Sequence, residues 1–185
     1  MRRLIYSMSV SLDGYIAGPH GEGEWAAPGE ELHRFHNEQT EEVGLHLLGR
    51  RLYEVMAYWE TAEEQQPSAP DYELEFARIW KRLPKIVYSK ELETVEGNTR
   101  LSHGDPVEEV RELKEGAGAD IAVGGAALAS TLTAAGLIDE YRPFVTPVVL
   151  GGGKPFFAAD TRMDLELVET RTFGSGVVYL RYRRG

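Results

Sequence analysis

Hydrophobic positions along this chain follow two spacings, one typical of strands and the other typical of helices. Alternating apolar residues over 4–10 predict a strand, whereas the apolar positions 52, 55, 56 and 59 lie on one face of a helix. The same two patterns recur along the first two thirds of the chain. They predict strands at 4–10, 45–48, 85–89 and 120–123, and helices at 30–43, 50–59, 71–83, 105–116 and 126–135.

The last third of the chain changes character. Residues 140–150 and 163–183 have long strand patterns, and the turn at 173–176 divides the second stretch into a hairpin. Strands that alternate with helices favour a parallel sheet, and we expect antiparallel strands from Glu140 onward. The prediction is therefore an α/β fold in a single domain over residues 1–185, with a mostly parallel central sheet, helices on both faces and a C-terminal antiparallel hairpin.

Composition excludes several classes of protein. The 185 residues include no cysteine, which excludes a disulfide framework, a thiol nucleophile and a cysteine zinc site; we expect a cytoplasmic location. Thirty acidic residues against twenty Lys and Arg give a net charge of −10, which disfavours binding to nucleic acid. No apolar stretch approaches the roughly 20 residues that cross a bilayer, so no membrane is expected as a partner.

Glycines join a predicted strand to a helix of small residues at 124–128. Glycine lets a ligand approach the backbone closely, and the start of a helix offers unpaired N–H groups, so this segment suits a phosphate. The alternative is a tight turn that only packs closely. The residues concerned are Gly124, Gly125, Ala126, Ala127 and Leu128.

Two further strand ends carry cations. Gly49 is followed by Arg50 and Arg51, whose charges at a helix start are unfavourable unless an anion binds or a carboxylate such as Glu54 pairs with them. Ser89 and Lys90 follow another strand, where they either meet a phosphate or begin a solvated loop. Ligands of open parallel sheets bind at the carboxyl ends of the strands, so the three signals together predict one phosphate-binding edge.

The order of these motifs resembles the reductase domain at the C-terminus of the bifunctional riboflavin-biosynthesis deaminase/reductase, which shares its fold with dihydrofolate reductase. The resemblance covers nearly the whole chain. The zinc-binding signature of the deaminase half does not occur in this sequence, so we expect a stand-alone reductase domain. The segments that carry the resemblance are 11–17, 21–25, 48–54, 124–125, 135–140 and 147–153.

That resemblance implies NADPH as the cofactor and a homodimer as the assembly. It implies that Gly49, Arg50 and Arg51 lie near the adenosine phosphates, and that Ser89 and Lys90 lie near the 2′-phosphate. It also implies that residues 124–128 hold the pyrophosphate, that the glycine pair there often carries a cis peptide, and that Ala17 is a further cofactor contact.

Four residues are candidates on the substrate side. Asp13 and Glu31 are the candidate catalytic acids; the alternatives are a turn at Asp13 and a favourable interaction with the helix dipole at Glu31. Trp25 and Phe35 are candidate substrate-binding residues, with loop packing as the alternative for Trp25. The pair His33 and His36 lacks a third ligand, so we expect surface histidines and no metal site.

The resulting functional hypothesis is an NADPH-dependent reductase of a small planar heterocycle, resembling 5-amino-6-(5-phosphoribosylamino)uracil reductase. Two alternatives stay open at this point. One is a dihydrofolate or pteridine reductase, which requires Glu31 to face the pterin ring. The other is an NADP-binding module without turnover.

Overall fold

An eight-stranded sheet forms the centre of the computed structural model, which describes residues 1–185. Ten strands occur in all: β1 (Leu4–Ser11), β2 (Tyr15–Ala17), β3 (Leu45–Gly49), β4 (Lys85–Tyr88), β5 (Thr99–Ser102), β6 (Ile121–Gly124), β7 (Glu140–Thr146), β8 (Lys154–Pro155), β9 (Leu165–Thr172) and β10 (Val178–Arg184). Six helices accompany them: α1 (Glu30–Glu41), α2 (Arg50–Met56), α3 (Ala62–Gln65), α4 (Asp71–Arg82), α5 (Pro106–Glu115) and α6 (Ala126–Ala134). None of these helices has the length and apolar character needed to cross a membrane.

The order of strands in the large sheet is β5-β4-β3-β6-β1-β7-β10-β9. The six strands from β5 to β7 are parallel, whereas β10 is antiparallel to both β7 and β9. The predicted fold class, with a mostly parallel sheet and a C-terminal antiparallel hairpin, is confirmed.

One detail of that prediction is wrong, because the antiparallel part does not begin at Glu140. Strand β7 runs parallel to β1 over seven residue pairs from Ile5–Glu140 to Ser11–Thr146. The chain passes through α6 before it enters β7, and a helical crossover returns a strand in the same direction. Within the large sheet, only β10 is antiparallel to its neighbours β7 and β9. The short strands β2, β5 and β8 were not predicted.

Hydrophobic residues alternate between the two faces of the sheet. Leu4 and Tyr6 pack in the cluster that contains residues of α5 and α6, whereas Ile5 packs with Phe76 and Trp80 of α4. Because successive side chains of a strand point to opposite faces, helices cover both sides of the sheet, as predicted. A smaller cluster joins α1 to β7 and the hairpin on the α4 side.

Candidate functional site

The two glycine turns at the ends of β3 and β6 lie against each other. A side chain at Gly125, where φ is +100°, would place its Cβ 3.5 Å from the Gly49 nitrogen. A Cβ at Gly124 would overlap the Leu52 side chain and lie 3.3 Å from His46 Cε1. Close packing therefore explains Gly124, while Gly125 leads into α6, whose first turn has no capping side chain. The peptide between the two glycines is trans, so the expected cis peptide is absent.

Arg50 and Arg51 are adjacent in sequence but have different surroundings. Arg50 lies 3.4 Å from a carboxylate oxygen of Glu54 and 3.4 Å from one of Glu91. Carboxylates therefore neutralise Arg50, which is one of the two alternatives that the sequence left open. Arg51 makes no ion pair and instead lines a cavity.

This cavity has a volume of about 540 Å³ and is lined by Gly18, Pro19, His20, Gly21, Arg51, Gly153 and Lys154. Its lining contains two cations and no acidic residue, although the chain as a whole carries a net charge of −10. Partial burial, followed by the charge of Arg51, lowers the pKa of Lys154. Two like charges facing one space are unfavourable in the free protein, and an anion bound between them relieves that cost. The cavity is therefore suited to a phosphate group.

Lys154 reaches this cavity because a glycine loop allows β8 to approach β2. Ala17 pairs with Lys154 across the two strands. Gly153 has a φ of +129°, and a Cβ there would overlap the carbonyl oxygen of Ala17. Sequence reasoning did not identify Lys154. The signal that was available is a cation directly after three consecutive glycines, but its neighbour Arg51 is 103 positions away in the sequence.

Ser89 and Lys90 follow β4, which lies beside β3 with Gly49 opposite Tyr88. The Ser89 hydroxyl accepts hydrogen bonds from the backbone N–H groups of Glu91 and Leu92, both at 3.1 Å. Lys90 is exposed. The structure thus brings 49, 50, 89 and 90 to one edge of the sheet, with the Ser89 oxygen already involved in turning the chain.

Asp13 fastens the turn after β1 to the glycine loop before β8. Its carboxylate accepts the N–H of Leu150 at 3.0 Å, the N–H of Gly151 at 2.7 Å and the hydroxyl of Ser11 at 2.7 Å. These hydrogen bonds, that of Leu150 foremost and then that of Ser11, lower the pKa of Asp13 to about 2. An ionised carboxylate cannot donate a proton, so this geometry favours a positioning role over general acid catalysis.

The other substrate-side candidates are also engaged by protein groups. Glu31 Oε2 accepts the Gly174 N–H at 3.0 Å, which ties the start of α1 to the hairpin turn. Trp25 Nε1 donates to the carbonyl of Glu22 at 3.0 Å. Phe35 is buried against the hairpin, in the cluster formed with Leu32, Phe144, Phe173, Val177 and Tyr179. This burial does not support Phe35 as a substrate contact.

The expectation of surface histidines at 33 and 36 is wrong. His33 is only 6% exposed, and its Nδ1 lies 3.1 Å from Asn37 Oδ1. The His36 ring packs against Phe144, with 4.4 Å between ring centroids. Both histidines face inward from α1 because the helix lies between the hairpin and α4. No group of three His, Cys, Asp or Glu side chains is placed to hold a metal ion.

Comparison with known proteins identifies the family of this chain. Residues 2–179 match the family described as the RibD C-terminal domain. The chain is 34% identical over 183 residues to the uncharacterized protein YyaP of Bacillus subtilis (strain 168), covering 98% of this chain and 94% of that protein.

Solved structures share the fold at lower identity. A putative riboflavin biosynthesis protein from Shewanella sp. PV-4 has a TM-score of 0.75 at 20% identity, covering 99% of each chain. The dihydrofolate reductase of Enterococcus faecalis, solved in complex with NADP(H), has a TM-score of 0.63 at 18% identity, covering 99% of this chain and 96% of that one. The fold is thus that of dihydrofolate reductase, and the match over nearly the whole sequence shows that this chain belongs to the RibD C-terminal domain family.

Proposed function

We propose that residues 1–185 form one reductase unit that uses NADPH to reduce a small planar heterocycle. The observation that carries this proposal is the cavity in which Arg51 and Lys154 face each other without an acidic partner. Family membership and the NADP(H) complex of a reductase with the same fold support it. The resemblance to the riboflavin-biosynthesis reductase suggests reduction of 5-amino-6-(5-phosphoribosylamino)uracil as the model reaction.

The residues present fit a dinucleotide. Arg51 and Lys154 supply two positive charges for the pyrophosphate, and Gly21, where a Cβ would meet no atom within 4 Å, leaves room for it beside the backbone. Gly125 and the uncapped first turn of α6 offer further backbone donors. We assign Lys90, which follows β4, to the 2′-phosphate. Because NADH lacks this phosphate, the contact predicts that the protein binds NADPH more tightly than NADH.

When bound, NADPH supplies the hydride. This chain contributes orientation and a proton path, and the acceptor takes up one proton for each hydride. Asp13 binds the backbone of Leu150 and Gly151 and so fixes the loop that leads to Lys154. Because the oxygens of Asp13 and Glu31 already accept backbone hydrogen bonds, we propose that the proton comes from another group or from an ordered water.

Dihydrofolate reduction is less well supported. It requires the carboxylate of Glu31 to face a pterin ring, and that carboxylate accepts the N–H of Gly174 instead.

Assembly as a homodimer remains a proposal. Strand β7 lies inside the sheet, so the edge at its end of the sheet belongs to the hairpin. Strand β9 forms that edge, and Leu167 and Val168 on it are 51% and 40% exposed. A second copy that paired along this edge would cover both. Sedimentation of the wild-type chain and of Leu167→Lys tests it, and a wild-type monomer at micromolar concentration contradicts it.

The cofactor proposal is tested by titrating NADPH and NADH into the protein and following tryptophan fluorescence. Removing Lys90 should weaken NADPH about tenfold or more and leave NADH unchanged, since a charge-assisted contact is worth roughly 1.5 to 3 kcal/mol. Removing Lys154 should weaken both cofactors equally. Binding of neither cofactor to the wild type contradicts the proposal. Binding without NADPH oxidation, in the presence of 5-amino-6-(5-phosphoribosylamino)uracil or dihydrofolate, would favour a binding module without turnover.

A further inference from the structure

The central strand β1 is open to solvent at its middle. Its first three residues and its last two are buried, whereas residues 7–9 are only half-buried. Strand β7 pairs with β1 from Ile5 to Ser11, whereas β6 pairs only with residues 4–6, so residues 7–9 are open on the side where β6 has ended. Ser7 and Ser9 lie on the same face as Ile5, which is the face that α4 covers. Ser7 and Ser9 therefore border, on this face, a gap beyond the glycine end of β6.

Two polar groups at this gap have no partner in the protein. The histidine rings that hydrogen-bond within the chain are those of His33, His46 and His103. His36 is not among them, and the hydroxyl of Ser9 makes no hydrogen bond either. The buried side-chain atoms without a partner are Tyr6 Oη, Tyr88 Oη, Thr99 Oγ1 and Arg142 Nε. None of these atoms belongs to His36 or Ser9. The His36 nitrogens and the Ser9 hydroxyl are therefore reached by solvent.

Phe144 brings the two groups to the same place. Ser9 is paired with Phe144 across β1 and β7, so both side chains point to one face. The ring of His36, which comes from α1 above that face, packs on the Phe144 ring with 4.4 Å between centroids. The open hydroxyl and the open imidazole thus flank one aromatic ring. Strand β6, which ends at the glycine pair, is the neighbour of β1 on its other side.

We propose that His36 and Ser9 form the polar contact of the acceptor-binding gap and hydrogen-bond the heteroatoms of a planar heterocycle. This inference rests on the proposed reductase function and names the acceptor side of the same site. Solvent satisfies both polar groups in the free protein, and a ligand with matching donors and acceptors can replace that solvent with direct hydrogen bonds.

The protonation state of His36 supports this assignment. Burial, followed by the neighbouring His33, lowers the pKa of His36 to about 4. The ring is therefore neutral at pH 7, with one N–H donor and one acceptor nitrogen. The N–H and C=O edges of a pyrimidine or pteridine offer the complementary groups. A carboxylate or phosphate would have called for a cation at this position.

His36→Phe is the main test, because it keeps a ring on Phe144 and removes both nitrogens. The probes are 5-amino-6-(5-phosphoribosylamino)uracil and dihydrofolate. For the probe that is turned over, we expect the KM to rise about tenfold, while the Kd of NADPH stays within about twofold. Ser9→Ala should raise the same KM by a smaller factor. The matched control is His33→Phe on the same helix, which should leave the KM unchanged. An unchanged KM in His36→Phe overturns the inference.

Chemical modification tests whether His36 is accessible and whether a probe covers it, and this test requires no catalytic turnover. Diethylpyrocarbonate reacts with accessible neutral imidazoles, and mass spectrometry locates the modified histidines. We expect His36 to react more slowly than the exposed His20 and faster than His33, and at least one probe to slow its reaction. A rate no faster than that of His33, or no protection by either probe, overturns the inference. Failure of the wild type to bind NADPH contradicts the reductase proposal instead, because that result does not depend on His36.

Discussion

The two ends of the sheet both gather positive charge, but they satisfy it differently. At the amino end, Glu140 is fully buried, and Arg142 and Arg181 contact its oxygens at 3.2 and 2.6 Å, with Arg3 at 3.6 Å. At the carboxyl end, Arg51 and Lys154 share a cavity that no acidic residue lines. Charges that are paired within the chain stabilise the fold. Charges without partners indicate where a ligand of opposite charge can bind.

The electrostatics of the amino end agree with this interpretation. Burial opposes ionisation of Glu140, but Arg181 and Arg142 outweigh it and hold the pKa of this carboxyl below its usual value. Glu140 is therefore ionised at neutral pH and neutralises the arginines around it. The charged form of Lys154, by contrast, is disfavoured, since burial and the charge of Arg51 both lower its pKa.

The largest effect should come from removing the central charge of the amino end. Glu140→Gln leaves the buried Arg142 without a counter-charge and Arg181 with only Glu169 at 3.8 Å, and we expect the free energy of unfolding to fall by about 3 kcal/mol or more. Urea denaturation measures this. The control is Glu169→Gln on the exposed edge strand, where little change is expected. A loss as small as in the control would mean that this cluster is as weakly coupled as a surface ion pair.

A smaller loss of stability should follow from Gly153→Ala at the carboxyl end. The positive φ and the overlap with the Ala17 carbonyl should together cost about 2 kcal/mol and displace Lys154 from the cavity. Thermal unfolding and NADPH titration should therefore both change. Gly152→Ala is the matched control, because its Cβ would meet only Pro19 Cγ at 3.8 Å. Unaltered NADPH binding in Gly153→Ala would mean that Lys154 does not contribute to binding of the cofactor.

The adjacent arginines allow the sharpest comparison of paired and unpaired charge. We expect Arg51→Ala to weaken NADPH about tenfold, and Arg50→Ala to weaken it by less than about threefold, because Glu54 and Glu91 already neutralise Arg50. Fluorescence titration under the same salt conditions measures both. Equal losses would show that Arg50 leaves its carboxylates to meet the cofactor.

The smallest effect concerns Asp13 and pH. Its pKa is about 2 in the folded protein, below the ordinary value of 3.8, so its hydrogen bonds contribute stability above about pH 4. That contribution should be lost as the pH falls through about 2. NMR titration of the carboxyl group measures the pKa, and Asp13→Asn should remove this part of the pH dependence. Titration near 4 would mean that the bonds to Leu150 and Gly151 do not persist in solution.

Much of the fold was predictable because its causes are local. Helix α5 begins where Asp105 accepts the N–H of Val107 at 2.8 Å, and it lies within its predicted range of 105–116. Helix α4 spans all but one residue of its predicted range. Strand β5 was missed because its four residues alternate between half-buried, exposed and buried, without an apolar run. The direction of β7 depends on its crossover through α6, which no pattern within β7 records.

The sequence by itself determined the element types, the glycine turns and the edge of the sheet that gathers the candidate phosphate-binding residues. Those features depend on spacing, capping and chain direction within a few residues. Only the tertiary structure decided which charges keep their partners. Arg50 is neutralised by Glu91 from another loop, Lys154 meets Arg51 from the far end of the chain, and His36 turns inward onto Phe144. Contacts between distant segments set these outcomes, because an ion pair or a packed ring depends on distance in space and leaves no periodic trace along the chain.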